Sequence, residues 1–158
     1  MFLIDENMTS KEIKKEMDEI LKPIKLFCKR WNVQLQYEDD TVVMDAVAEK
    51  INELISLLEQ QDDEQLQVRI DNFHRLELEL DLFLKSLNHL KKVEIALIYY
   101  VLLVDKTQAE LTEDEQMWIG FDVENVSASK INILYQEACL NLLELMKYNQ
   151  IKQTVYKP

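Results

Sequence analysis

The sequence predicts an all-α protein, a multi-helix bundle, and three observations carry that expectation. Glycine occurs once and proline twice in 158 residues, too few turn residues for an all-β chain. Apolar side chains recur at helical spacing along most of the length. Helix-start patterns of Thr followed three residues later by Glu stand at Thr9/Glu12 and Thr112/Glu115, where a capping box would begin a helix. With 47% hydrophobic residues, there is material for one domain or two small ones with a real core.

The first element is expected over Thr9 to Trp31. Met8 and Ile13 are placed as a hydrophobic staple around the Thr9 cap, and Ile13, Met17, Ile20, Leu21, Ile24, Phe27, Cys28 and Trp31 share one face. Pro23 falls inside this pattern and should kink or break the helix. Lys11, Lys14, Lys15, Lys22, Lys25 and Lys29 fall within an arc of about 100° on another side, at ~100° per residue. Val33 to Tyr37 alternates as a short extended piece would. Asp40 is then expected to cap a second helix, to about Gln60, with the stripe Val43, Met44, Val47, Ile51, Leu54, Ile55 and Leu58, close to a coiled-coil seam.

Residues 65–84 admit two readings. Leu66, Ile70, Phe73, Leu76, Leu80, Phe83, Leu84 and Leu87 make one helical face, yet Leu76 to Leu82 also alternates strictly, as a hairpin around Asp71-Asn72 would. Leu and Glu favour helix here, and only Val68 and Ile70 are β-branched. A hairpin would move the fold to α+β. A helix would carry Leu78 and Leu82 opposite its main stripe, which suits a central position or a subunit contact.

The chain is then expected to run as an apolar helix opened by Asn88 or His89, a polar linker over 105–111, and a short helix capped by Thr112 and Glu115. Gly120 fits the left-handed position after that helix. A long last helix starts at the Ser127 cap and reaches about Tyr148, and 149–158 reads as a loose tail. Ile131, Leu134, Ala138, Leu142 and Leu145 form the core stripe of the last helix, with Ile133 and Leu140 on roughly the opposite side. The expected division is 1–87, 88–148 and the tail 149–158.

Net charge is −12. An acidic chain is repelled by phosphate, so the overall field speaks against nucleic acid and anionic membrane and for a basic protein partner. The charge is uneven: −2 over 1–40, −7 over 41–105 (13 acids against 6 Lys/Arg) and −3 over 106–158. Cys28 and Cys139 lie in apolar helical runs and are expected to be reduced thiols. Met1 to Ile4 is apolar but is followed by Asp5 and Glu6 without a basic segment, unlike a signal peptide. The run Ile95 to Val104 is about half of what a membrane span needs. A cytoplasmic protein without membrane contact is the expectation.

Enzyme signals are poor, and no enzyme activity or cofactor is expected. The sequence has no glycine-rich phosphate loop, no Cys-x-x-Cys and no nucleophile elbow. Asp71, His74 and Glu77 have i, i+3 spacing that would present carboxylates and an imidazole to one metal. Di-iron bundles need four carboxylates and two Glu-x-x-His pairs, so a solvated polar patch is the better reading and no metal site is assigned.

The last seventy residues carry the most specific signal. The stretch from Leu87 through Lys91-Lys92-Val93-Glu94 to Tyr100, the start Leu111-Thr112-Glu113-Asp114-Glu115, and Val126-Ser127-Ala128-Ser129-Lys130-Ile131 through Glu137-Ala138 resemble the helix-turn-helix end of the ArpU/RinA group of phage late transcription regulators, which is sigma-factor-like. The resemblance implies a bundle ending in a helix-turn-helix-like unit whose last helix enters the major groove. By that resemblance Ser129, Lys130, Asn132, Ile133 and Gln136 would face bases or phosphates. Two departures stand out. The span from Leu111 to Ser127 is longer than the family pattern, with Phe121-Asp122-Val123-Glu124 as the additional residues. The helix itself holds Lys130 but also Glu137 and Glu144.

Two functions follow. One is a phage or prophage transcription regulator, a homodimer on double-stranded DNA, with Lys11, Lys15, Lys22, Lys25 and Lys29 as a phosphate track. The other is an acidic helical inhibitor or adaptor, of anti-defence or host-takeover type, that has lost DNA binding and engages a basic host protein.

Overall fold

In the computed structural model the described residues are 8–61, 64–114, 118, 120, 121, 123 and 126–156, with side chains described except at 108 and 151–156. Among the described residues the protein is an all-α bundle with one small two-stranded hairpin. Helix α1 spans Ser10–Trp31. The hairpin is β1, Gln36–Glu38, and β2, Thr41–Val43. Then follow α2 (Asp45–Glu59), α3 (Leu66–Leu87), α4 (Lys92–Ile98) with a π turn over Tyr99–Leu103, α5 (Gln108–Glu113) and α6 (Ala128–Tyr156).

Helix α1 begins as its cap pattern requires: the Glu12 amide donates to Thr9 Oγ1 at 3.2 Å. Pro23 neither breaks nor ends it. Pro23 and Glu19, whose carbonyl loses its usual amide, both lie on the exposed side, where that carbonyl is open to solvent and the lost bond costs little. Asn32 ends the helix in the left-handed conformation, with φ 53° and ψ 47°, a role open to Asn because its short polar side chain tolerates positive φ.

The hairpin corrects one expectation. Asp40 does not cap a helix. Asp39 and Asp40, with φ of 50° and 63°, form the two-residue loop of a tight hairpin whose register pairs Tyr37 with Val42, and two successive positive φ values match the twist of the flanking strands. The second helix starts five residues later. Asn88, just past α3, clamps the hairpin by accepting from the Val42 amide and donating to its carbonyl, both at 2.9 Å, and Tyr37 stacks on Tyr99 with ring centres 5.3 Å apart.

Residues 66–87 are one helix, so the only strands among the described residues are those of the 36–43 hairpin. Leu82 is buried and Leu78 is 62% exposed, so the second apolar side of α3 is only partly covered. Asn88 and His89 do not open the next helix; Lys91 does, with its amide donating to Glu94 Oε1 at 3.2 Å. Glu94 is buried, and its other oxygen accepts from Asn141 of α6 at 2.7 Å.

The expected polar linker contains α5, capped by Thr107 and Glu110. Thr112 therefore lies within a helix, and Glu115 is outside the described residues. Gly120 is helical, with no positive φ. The chain turns instead on the Trp118 carbonyl, which accepts from the Phe121 amide at 3.2 Å and the Val123 amide at 3.1 Å. Helix α6 starts at the Ser127 cap, where the Lys130 amide donates to Ser127 Oγ at 3.2 Å. It runs past Tyr148 to Tyr156, through most of the stretch expected to be a tail. Asn149 explains part of this: it is buried and donates to Ser86 Oγ at 2.9 Å, which in turn donates to the Leu82 carbonyl at 2.8 Å.

Two cores result. The main one joins α1, β2, α2, α3 and α4 to the second half of α6 through Ala138, Cys139, Leu142, Leu143 and Met146. It draws on residues both before and after position 87. The smaller gathers Leu97, Leu111, Trp118 and Ile131. Burial of these side chains, about 1.5–3 kcal/mol each for large apolar residues, is the main stabilising term. No helix among the described residues is long and apolar enough to cross a membrane.

Candidate nucleic-acid interface

The small core positions the start of α6. Leu111 of α5 and Ile131 of α6 are fully buried, and the Trp118 ring lies between them in sequence and packs with both. Its indole Nε1–H donates to the Leu111 carbonyl at 2.6 Å. That bond ties the turn to α5, and the apolar contacts tie both to α6, leaving the opposite side of α6 to solvent.

Ser129, Asn132 and Ile133 are exposed, and Ile133 is 58% accessible. Leu140, on the same side one to two turns later, is half-buried against the main core. Lys130 is half-buried. Gln136 is half-buried as well, and its Oε1 is buried without a hydrogen-bond partner. To read a base it must turn outward, which releases that orphaned oxygen.

The lysine-bearing helix lies beside this region. Helix α1 packs on α6. Asp18, within the lysine arc of α1, is close enough to Tyr135 of α6 for its charge to help hold the phenol protonated. Burial is the larger cause, pushing the Tyr135 hydroxyl up, and Cys139, hydrogen-bonded to it, adds to the effect. At ~100° per residue, Asn132 and Gln136 lie between Tyr135 and the solvent face. Asp18 sits in the middle of the lysine arc at ~100° per residue, so that arc lies on the side of α1 nearer to Tyr135. Lys11, Lys15, Lys22 and Lys29 are exposed. Lys25 is half-buried and paired with Asp105 at 3.0 Å, which removes it from an open track.

Asp71, His74 and Glu77 do not converge on a metal site, and among the described residues no cluster of metal-ligating side chains exists. His74 Nδ1 lies 3.4 Å from Glu77 Oε1, while Asp71 accepts from Gln67 at 2.8 Å. Cys28 and Cys139 are both free thiols. Burial pushes the Cys139 thiol up to about 12, and the Tyr135 hydrogen bond offsets only part of that.

One feature had no sequence signal: a trough between α1, α2 and α3 with an apolar floor and basic residues around it. Its cations come from three helices, so no run or spacing marks them.

No protein-family model matches the chain, and no curated protein or solved structure matches it either.

Proposed function

We propose that this chain is a DNA-binding regulator of the phage or prophage type, acting as a homodimer, with the start of α6 as the reading element. The observation that supports the reading is the packing of α1 on α6, with Asp18 of the lysine arc near Tyr135. From Lys11 to Lys29 the stripe extends about 27 Å at ~1.5 Å per residue, a length that follows several phosphates. Ser129, Lys130, Asn132 and Gln136 are of the types that meet bases or phosphates, and Ile133 suits a thymine methyl. The lysine stripe supplies the neutralising charge that α6 lacks.

The test is binding to pooled genomic fragments at low and at physiological salt. Sequence-selective binding at physiological salt is expected, and Lys130→Ala with Gln136→Ala should abolish selection with the fold intact. Replacing Lys11, Lys15 and Lys22 by Gln should flatten the salt dependence by up to about 0.9 per lost phosphate contact. Absence of binding at both salts refutes the proposal.

A second reading, an inhibitor or adaptor for a basic host protein, is favoured by the −7 charge of residues 41–105 and by the exposed apolar Leu57, Val68 and Leu78 on the same helices. Under that reading, charge reversal along residues 59–64 releases a partner that co-purifies with the parent protein.

A further inference from the structure

We infer that the trough between α1, α2 and α3 is a docking site for an acidic amphipathic helix of a partner protein. The cavity measures about 1040 Å³, at the upper end of the range of about 300–1,000 Å³ usual for small ligands, and it is an open trough with helical walls. Its floor is apolar, built from Leu26, Phe27, Leu54, Leu57, Phe73 and Leu76. The Phe27 and Phe73 rings meet edge to face at 6.2 Å and tie α1 to α3 beneath it. Leu26 and Leu57 are 57% and 48% exposed, so both walls of the trough offer apolar surface to a visitor.

The rim decides the chemistry of that visitor. Arg30, Lys50, Arg69 and Arg75 line the trough with Glu79 as the one lining carboxylate, and Lys50 is bridged to Glu53 at 3.4 Å, which leaves the arginines to carry the excess charge. This is a local excess of positive charge in a chain of net charge −12. Screening confines an exposed charge to about 8 Å at physiological ionic strength, so a partner seated in the trough meets the rim cations more strongly than the distant acids. An apolar floor with a basic rim complements a segment with apolar residues on one side and Asp or Glu on the other. The floor is formed by helix stretches of about ten residues, or ~15 Å at 1.5 Å per residue. That length accommodates apolar anchors at i, i+3 or i+4, and i+7 of one docked helix. Trp31 lies in the same trough, with Arg30 and Lys50 each 5.4 Å from its ring centre, so its fluorescence reports occupancy.

The experiment is selection from a display library of random peptides of about 12 residues, three turns of helix, on the full chain. Selected peptides are then titrated by fluorescence anisotropy and by Trp31 emission. Enrichment of acidic peptides with apolar residues at helical spacing is expected, with Trp31 emission shifting on binding. Arg30→Glu with Arg75→Glu should weaken them about tenfold or more. Leu57→Ser, at a half-exposed position that leaves the core intact, should weaken them too, and far-UV circular dichroism verifies both folds. Enrichment of neutral or basic peptides, or of none, overturns the inference. Equal affinity in the charge-reversed variant does the same. Sedimentation of the parent as a dimer that both variants dissociate assigns the trough to a second copy, and also overturns it.

Discussion

Asn88→Ala tests how much the Asn88 clamp contributes to holding the hairpin. In the parent, Asn88 makes two hydrogen bonds to Val42 at 2.9 Å each, and Val42 is 1% exposed. Truncation removes two neutral bonds, worth about 0.5–1.5 kcal/mol each, and strands a buried amide and carbonyl at about 1–3 kcal/mol each. Asn88 itself is half-buried, so entering water recovers part of that loss. The expected cost is about 2–4 kcal/mol, or a fall in Tm of about 5–15 °C for a chain of this size. Asn88→Asp gives a sharper signature. It keeps the acceptor for the Val42 amide but sets a carboxylate oxygen against the Val42 carbonyl. Its folded pKa must therefore lie above the ordinary ~3.9. With the folded value raised, protonation stabilises the variant at low pH, and that stability is lost as pH rises through the folded pKa. Urea titrations followed by far-UV circular dichroism should show a deficit against the parent that shrinks as pH falls from about 7 towards 4. A cost below about 0.5 kcal/mol for Asn88→Ala, or a deficit for Asn88→Asp that is flat in pH, refutes the reasoning.

Three further outcomes are expected. Trp118→Phe keeps most of the buried ring but removes the indole bond to the Leu111 carbonyl, which retains the Asp114 amide at 3.2 Å, and should cost about 0.5–1.5 kcal/mol in urea unfolding; no change would mean that the bond is dispensable. Pro23→Ala restores an interior helix donor on the exposed side of α1 and should stabilise by about 1–2 kcal/mol after the looser unfolded chain is counted, seen as a higher urea midpoint. On the alkaline side, burial holds Cys139 and Tyr37 protonated up to about 12. Because both folded values are raised, their stabilising contribution is whole below the unfolded pKa values of about 8.5 and 10 and is lost as pH climbs towards 12; Cys139→Ala should flatten the part that begins nearest pH 9.

The long helices were legible because pattern and cap agreed. Thr9 and the stripe from Ile13 to Trp31 point to one structure, and α3 follows its helical face over its strand-like alternation because Leu and Glu favour helix locally. Sequence pattern and structure part where one residue type serves two roles. Asp is a good N-cap and also a residue that tolerates positive φ, so Asp40 read as a helix start although it closes a hairpin. Thr-x-x-Glu occurs at Thr107 and again at Thr112, and tertiary packing, not local chemistry, selects the first: α5 starts there and buries Leu111 completely. Gly120 offered a left-handed turn that the Trp118 carbonyl made unnecessary. Asn149 looked like the start of a polar tail until Ser86, sixty-three residues away, gave it a partner. At the candidate interface the residues of α6 and of α1 were each visible, but their adjacency was not. The trough had no sequence trace, since Arg30, Lys50, Arg69 and Arg75 share nothing but a place in three dimensions.

Helix α6 belongs to both cores: Ile131 closes the small one and Ala138 to Met146 complete the large one. Between them lie fewer than two turns of continuous helix, with no hinge residue among Asn132, Ile133, Leu134, Tyr135, Gln136 and Glu137. The helix therefore works as a stiff axle set in the bundle. Its exposed end is held by the small core at Ile131 and, further along, by the packing around Leu142 and Leu143, so it turns only if both move with it. The orientation of Ser129, Asn132 and Ile133 is thus set by both cores together, and substitutions around Met146 would be felt there as a change of angle, with no direct contact between the two ends.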